Sequence, residues 1–124
     1  MKGFLIDVQN DKAVEVQIDG ENHLKQFYSL IGCRCIDIIM RTIGGKYYNI
    51  VLDDEGLLVD NPVFAAIDGQ LNAMLAGNLV IFGVGNDMDL ADLDDADIRN
   101  IRDNTYEVID FDTLTMHPVV VMEY

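Results

Sequence analysis

The 124-residue sequence predicts a single α+β domain spanning residues 1–124, with a small mixed, mainly antiparallel sheet and two or three helices packed on one side. Three observations lead there. Apolar and polar residues alternate in short runs, the two-residue period of half-buried strands. Between those runs lie segments whose apolar residues recur three and four apart, the spacing of one helix face. Half of the residues are apolar, enough at this length to fill a core without metal or disulfide staples.

In chain order, Phe4, Ile6 and Val8 alternate with more polar neighbours, and after Gln9 to Lys12 the alternation resumes at Val14, Val16 and Ile18. This predicts an opening antiparallel hairpin. From Asn22 the period changes: Leu24, Phe27, Tyr28, Leu30 and Ile31 share a helix face, and Gly32 supplies a left-handed cap. Cys35 to Ile43 and Lys46 to Leu52 form a second predicted hairpin, because Gly44 and Gly45 allow positive φ at both turn positions. Asp53 to Gly56 carries turn chemistry that closes the second strand. Asn61 and Pro62 then resemble a helix cap and first-turn proline, so the Ala-rich stretch to Ala76 is expected to be helical, with Gly69 weakening its middle and Gly77 ending it.

Leu79 to Gly83 is short and continuously apolar, which predicts a central strand buried on both faces. Leu93 to Ile101 has a helix-start pattern, with Asp94 as cap, Asp97 three residues later and Leu93 placed to pack on Ile98. Val108 to Phe111 and Val119 to Met122 are expected to be two short closing strands.

The formal charge of −14 opposes nonspecific attraction to DNA, RNA or anionic lipid and favours a protein partner with a basic surface. The opening residues show neither the apolar core nor the small-residue cleavage site of an export signal, and no stretch approaches a bilayer span. With Cys33 and Cys35 as the only cysteines, too close to form a useful bridge, a reducing cytoplasmic setting is expected. Unpaired sheet edges would permit a homodimer.

Ten of the 22 acidic residues fall between Asp87 and Asp112, with only Arg99 and Arg102 among them. Asp87 and Asp89 give the opening of a calcium loop. The pattern then fails, because Ala91, Asp92 and Ile98 stand where an EF-hand needs an oxygen ligand, a glycine and a glutamate. Asp94, Asp95 and Asp97 suit the first turn of a helix, where carboxylates satisfy free amides and complement the dipole by about 0.3–1 kcal/mol each. Asp95 can also pair with Arg99, and Arg99 with Asp103, one turn apart. Capping does not account for Asp87, Asp89, Asp110 and Asp112. The expected partner-binding residues are therefore Asp87, Asp89, Asp92, Asp95, Asp103, Asp110 and Asp112, a surface able to imitate phosphate charge before a basic groove.

No catalytic residue, metal site or cofactor is expected. Ser29, the only serine, falls within a predicted helix, and His23 and His117 with two cysteines make no metal-ligand spacing. Gly83 and Gly85 could turn around a phosphate, but Met88 occupies the third glycine position of a dinucleotide fingerprint and there is no P-loop lysine. Asp53 and Asp54 are adjacent in a turn, where side chains point apart. The alternative expectation is a small-molecule pocket beside Leu79 to Gly83.

From Leu24 to Ile101 the chain resembles an uncharacterised family of small domains found in phage, plasmid and conjugative-element proteins. The resemblance rests on the helix ending Leu30-Ile31-Gly32, the strand with Ile36, Asp37 and Ile38, and the turn Asp54-Glu55-Gly56. It continues through Asn61, Pro62 and Ala65, the strand Leu79 to Gly83, and the helix start at Leu93 to Ile98. Asn104 to Tyr124 has no counterpart. The resemblance implies a mobile-element accessory protein without assigned chemistry, whose relatives travel with antirestriction genes. Together these readings predict a non-enzymatic interaction module, a decoy for a basic DNA-handling host protein. Because its charge is self-repelling, raising sodium chloride should modestly increase the midpoint of thermal unfolding, as screening shortens the repulsion below about 8 Å; a falling midpoint would contradict this.

Overall fold

The opening alternation forms two antiparallel strands, β1 (Lys2–Asp7) and β2 (Lys12–Gln17), in register from Lys2 opposite Gln17 to Asp7 opposite Lys12. The structure is a computed structural model describing residues 1–19, 23–33, 35–55, 62–111 and 114–124. Helix α1 (His23–Ile31) follows; the expected start at Asn22 lies outside the described residues. Its end is as expected. Gly32 has φ +77°, and the Gly32 and Cys33 amides both donate to the Tyr28 carbonyl, at 2.9 and 3.2 Å.

Strands β3 (Ile36–Ile43) and β4 (Lys46–Asp53) form the second expected hairpin, with Ile43 opposite Lys46. Gly44 and Gly45, at φ +56° and +83°, make the tight turn. The Glu55 amide donates to Asp53 Oδ1 at 2.8 Å, closing β4 as the turn chemistry predicts. Gly56 and Asn61 lie outside the described residues.

The helix expected from Pro62 to Ala76 is not formed. Instead β5 (Phe64–Ile67) and β6 (Ala73–Ala76) make an antiparallel hairpin with an irregular register. Asp68 stabilises its turn: Asp68 Oδ1 accepts from the amides of Gln70 and Asn72, both at 2.9 Å, and its Oδ2 accepts from the Asn72 side chain at 3.0 Å. Strand pairing with the distant C-terminal segment outweighs the helical preference of the alanines. Ala65 and Ala66 are fully buried, where small side chains let this sheet approach the next.

Strand β7 (Leu79–Val84) is the expected central strand. It lies antiparallel between β1 and β4, giving the order β2-β1-β7-β4-β3, and the two-residue β8 (Leu90–Ala91) folds back on its end. Helix α2 (Asp95–Asp103) is followed by β9 (Thr105–Asp110) and β10 (Thr115–Val121), longer than the sequence predicts. These strands complete a second sheet, ordered β6-β5-β10-β9, in which β10 runs parallel to β5 and the other neighbours are antiparallel.

The architecture is therefore mixed and mainly antiparallel, but it has two sheets, and its two α-helices among the described residues lie on opposite faces of the first sheet. Leu5, Val51, Val80 and Phe82 pack with Phe27 and Ile31 of α1. Their strand neighbours Phe4, Ile6, Ile50, Leu79 and Ile81 point the other way, against Ala66 and Val120 of the second sheet and Ile98 and Ile101 of α2. Each large side chain fully buried this way contributes about 1.5–3 kcal/mol. Thr42 and Glu123 join the sheets along one side, each amide donating to the other's carbonyl at 2.8 Å. No helix among the described residues is long and apolar enough to cross a membrane.

The β3–β4 turn provides a graded test. A methyl group at Gly45 would meet nothing within 4 Å, whereas one at Gly44 would lie 2.0 Å from Asn100 Oδ1. Gly45→Ala should cost the left-handed penalty alone, about 1–2 kcal/mol. Gly44→Ala should cost more, because Asn100 must also move. Urea unfolding of the two variants measures the difference, and equal losses would rule out the Asn100 contact.

Candidate functional site

Carboxylates are concentrated along the path from the end of β7 to the end of α2, and they perform distinct tasks. Asp94 and Asp97 form a reciprocal cap. The Asp97 amide donates to Asp94 Oδ1 at 2.8 Å, and the Asp94 amide donates to Asp97 Oδ2 at 3.1 Å. Leu93 and Ile98 are both buried in the same core, as the expected hydrophobic staple requires.

Asp97 does more than cap. It is buried, and its Oδ1 accepts from Lys46 Nζ at 2.5 Å and from the Tyr48 hydroxyl at 3.0 Å, which fastens α2 to β4. Asn100, one turn further on, donates through Nδ2 to the Tyr48 hydroxyl at 3.0 Å and to the Ile43 carbonyl at 2.9 Å. Burial alone would raise the Asp97 carboxyl, but hydrogen bonds from Lys46, the Asp94 amide and Tyr48 outweigh it and hold the carboxyl below its ordinary value. Burial pushes the Tyr48 phenol up.

The expected partner-binding residues are a mixed set. Asp87 and Asp89 are exposed around a short 3-10 turn, Asn86–Met88. Asp92 is exposed as well, but its Oδ1 accepts from the Lys2 amide at 2.7 Å, tying this segment to β1. Asp95 is exposed and lies 3.5 Å from Lys2 Nζ, so its ion pair is made across the fold and not with Arg99 one turn along. Hydrogen bonding to Glu15, followed by the charges of Glu15 and Asp95, raises the Lys2 ammonium above its ordinary value despite partial desolvation. Asp103 is exposed at the end of α2. Asp110 is placed in β9, and Asp112 lies outside the described residues. Among the described residues no three carboxylate, thiol or imidazole groups gather to hold a metal ion.

The acidic loop is held from inside by a residue that composition did not single out. Asn49 is buried in β4, and its Nδ2 donates to the carbonyls of Gly83, Met88 and Asp89, at 3.2, 3.1 and 3.2 Å. One side-chain amide thus fixes both ends of the segment carrying Asp87 and Asp89. An asparagine between aromatic and aliphatic residues in a strand is the signal that could have revealed it, since a buried amide needs partners. A second buried pair joins other elements. Asn78 donates through Nδ2 to Asp7 Oδ1 at 3.0 Å and to the Leu30 carbonyl at 3.1 Å, and its Oδ1 accepts from the Val8 amide at 2.8 Å.

The remaining candidates occupy ordinary positions. Gly83 brings β7 close to its own chain, with an added methyl group lying 3.0 Å from the Asp92 carbonyl, so that close approach serves the β7–β8 fold-back. Leu79 to Phe82, beside which a ligand pocket is the alternative expectation, have their side chains in the two apolar cores. A groove of about 290 Å³ lies elsewhere, between β2 and α1, lined by Val16, Ile18, Gln26, Ser29 and neighbouring atoms. Cys33 is half-buried and Cys35 exposed, both as free thiols. Burial and the nearby Asp53 push the Cys33 thiol up, the opposite of nucleophile activation.

A family match to "Domain of unknown function (DUF3846)" covers residues 1–106. The chain belongs to the DUF3846 family. The match reaches further toward the N-terminus than the resemblance seen in the sequence, and takes in β1, β2 and both networks that position the acidic loop and α2. Most of the β9–β10 hairpin follows the matched DUF3846 region. No curated protein and no solved structure matches the chain.

Asp7 and Asp97, the two buried carboxylates among the described residues of this DUF3846 chain, make its stability pH-dependent. Burial opposes the Asp7 charge too, yet donors from Asn10, Asn78 and Gln9 leave it below its ordinary value of 3.8, as for Asp97. Groups lowered on folding stabilise fully above the unfolded value, and that contribution disappears as pH falls through the folded values. Between about pH 6 and about pH 2, urea midpoints should therefore fall. Asp97→Asn should lose about 1–3 kcal/mol at neutral pH and show a shallower acid slope. An unchanged slope in that variant would exclude Asp97 as a contributor.

Proposed function

We propose that this chain is a non-enzymatic interaction module that presents an acidic surface to a protein with a basic groove, of the kind used to hold nucleic acid. The observation that carries this reading is the pinned loop: Asp87 and Asp89 are exposed, and Asn49 fixes their backbone from within the core. Asp94 and Asp97 are engaged in capping, whereas Asp87 and Asp89 have no comparable task among the described hydrogen bonds. A loop held in place loses little conformational freedom on binding, which favours recognition of a complementary charge pattern.

Asp92, Asp95 and Asp103 are exposed too, before, at the start and at the end of α2, and are assigned to the same partner-binding surface. Carboxylates on such a surface repel nucleic acid itself and attract the lysines and arginines that would hold it. A host DNA-handling protein is therefore the partner class, and a phage or mobile element is the genetic setting in which such a decoy would serve. Asp110 and Asp112 are assigned to the same negative surface from the sequence.

Purified nucleases or restriction complexes with basic DNA clefts test the proposal. The chain should inhibit them, less strongly as salt rises, without binding the DNA. Joint replacement of Asp87, Asp89, Asp92, Asp95 and Asp103 by asparagine should weaken inhibition by about tenfold or more, consistent with the loss of several charge contacts. Equal inhibition by that variant, once circular dichroism shows it folded, would overturn this reading.

A further inference from the structure

The β9–β10 hairpin carries an apolar surface outside the core. Tyr106 and Ile109 of β9 are exposed, as is Met116 of β10, and at the tip Phe111 and Leu114 are 82% and 81% exposed. Scattered apolar side chains are ordinary on a protein surface, but these belong to one hairpin, Tyr106 on one face of β9 and Ile109 with Met116 on the other. Ile109 lies opposite Met116, on the strand face that leads back through Pro118 to the buried Val120, so the apolar face of the core continues along the hairpin toward solvent.

The hairpin also has an open backbone edge. β9 ends the order β6-β5-β10-β9, so its outer side has no strand neighbour among the described residues. Such an edge can accept another strand, with main-chain hydrogen bonds supplying affinity and alternate side chains supplying selectivity.

We infer that β9 is an addition site for an extended segment of a protein partner in which β-branched or aromatic residues are interspersed with lysine or arginine. Charge selects that occupant. Arg102 is the last basic residue of the chain, whereas Asp103, Glu107, Asp110, Asp112 and Glu123 follow or accompany it through the C-terminal segment. A second copy of the chain would bring another net charge of −14 and set another Glu107 against this strand; like charges across neighbouring strands are destabilising. A cationic strand with alternating apolar residues would set its lysines beside Glu107 on one face of β9 and cover Tyr106 and Val108 on the other.

This inference deepens the proposed interaction function by assigning it a second contact, and it can fail independently. The test uses the full chain and a blocked peptide alternating lysine with valine, with two control peptides: one of the same composition with its lysines and valines in separate blocks, the other alternating glutamate with valine. Amide hydrogen exchange should show new protection at Thr105–Asp110 with the alternating lysine peptide only. The paired substitutions Phe111→Ser and Leu114→Ser, at exposed positions, should weaken its binding about tenfold or more, equivalent to about 1.4 kcal/mol. Neutralising Asp87 and Asp89 should leave the β9 protection in place. Equal binding of the control whose lysines and valines stand in separate blocks, or protection confined to β2 or β3, would overturn strand addition at β9 while leaving an electrostatic partner function standing. Concentration-dependent dimerisation that protects β9 without peptide would assign the edge to a second copy and overturn the cationic-partner inference.

Discussion

The structure depends on β7 being buried from both sides at once. Its backbone pairs with β1 and β4, while Leu79 and Ile81 face one core and Val80 and Phe82 the other. A strand in this position cannot carry alternating polar residues, because either face would place an unsatisfied group in an apolar layer. The continuous run from Leu79 to Phe82 meets that constraint. Its neighbours divide their side chains in the same way, Leu5 opposing Phe4 and Ile6, and Val51 opposing Ile50. The apolar content of the sequence is consequently spent on two thin cores on either side of one sheet.

Polar side chains fasten what those cores leave loose. Three of them do related work at different places: Asp97 holds α2 on β4, Asn78 holds the end of α1 to the β1–β2 turn, and Asn49 holds the segment beyond β7. Each is buried and satisfied by several partners. Their worth lies less in net stability than in fixing position, since an alternative arrangement would leave a buried polar group unpaired. The acidic character of residues 87–103 is thus divided. Asp97 is drawn inward as a fastening, while Asp87 and Asp89 remain outside on a segment that another buried side chain keeps still.

Features set by neighbouring residues were legible in the sequence. The Gly44-Gly45 turn, the Gly32 helix end, the Asp94 cap and the β1–β2 alternation each depend on chemistry within a few positions. The stretch after Pro62 was not legible, because what makes it strand is β10, more than fifty positions further on, together with the turn around Asp68. The division into two sheets and the placing of α1 and α2 on opposite faces have the same cause: they follow from long-range pairings that a local period does not encode. For the candidate site, the capping roles of Asp94 and Asp97 could be read directly. The reach of Asp97 to Lys46 and Tyr48 could not, since it exists only when α2 docks on β4. Nor could the exchange of Arg99 for Lys2 as the neighbour of Asp95, which depends on β1 passing beside α2.

The central place of β10 in the second sheet has a consequence for how the chain acquires its structure. β5 and β6 emerge from synthesis about forty to fifty residues before the strand that completes their sheet. The first sheet and α1 can assemble from what precedes Gly85, but Ala65 and Ala66 gain their parallel neighbour only when Val120 and Val121 arrive. Contacts between segments so far apart in sequence slow the search for the native state, because the intervening chain must be ordered before the pairing rewards it. Until then the inner face of the β5–β6 hairpin is open, and it is β10, made well after both of its strands, that closes it.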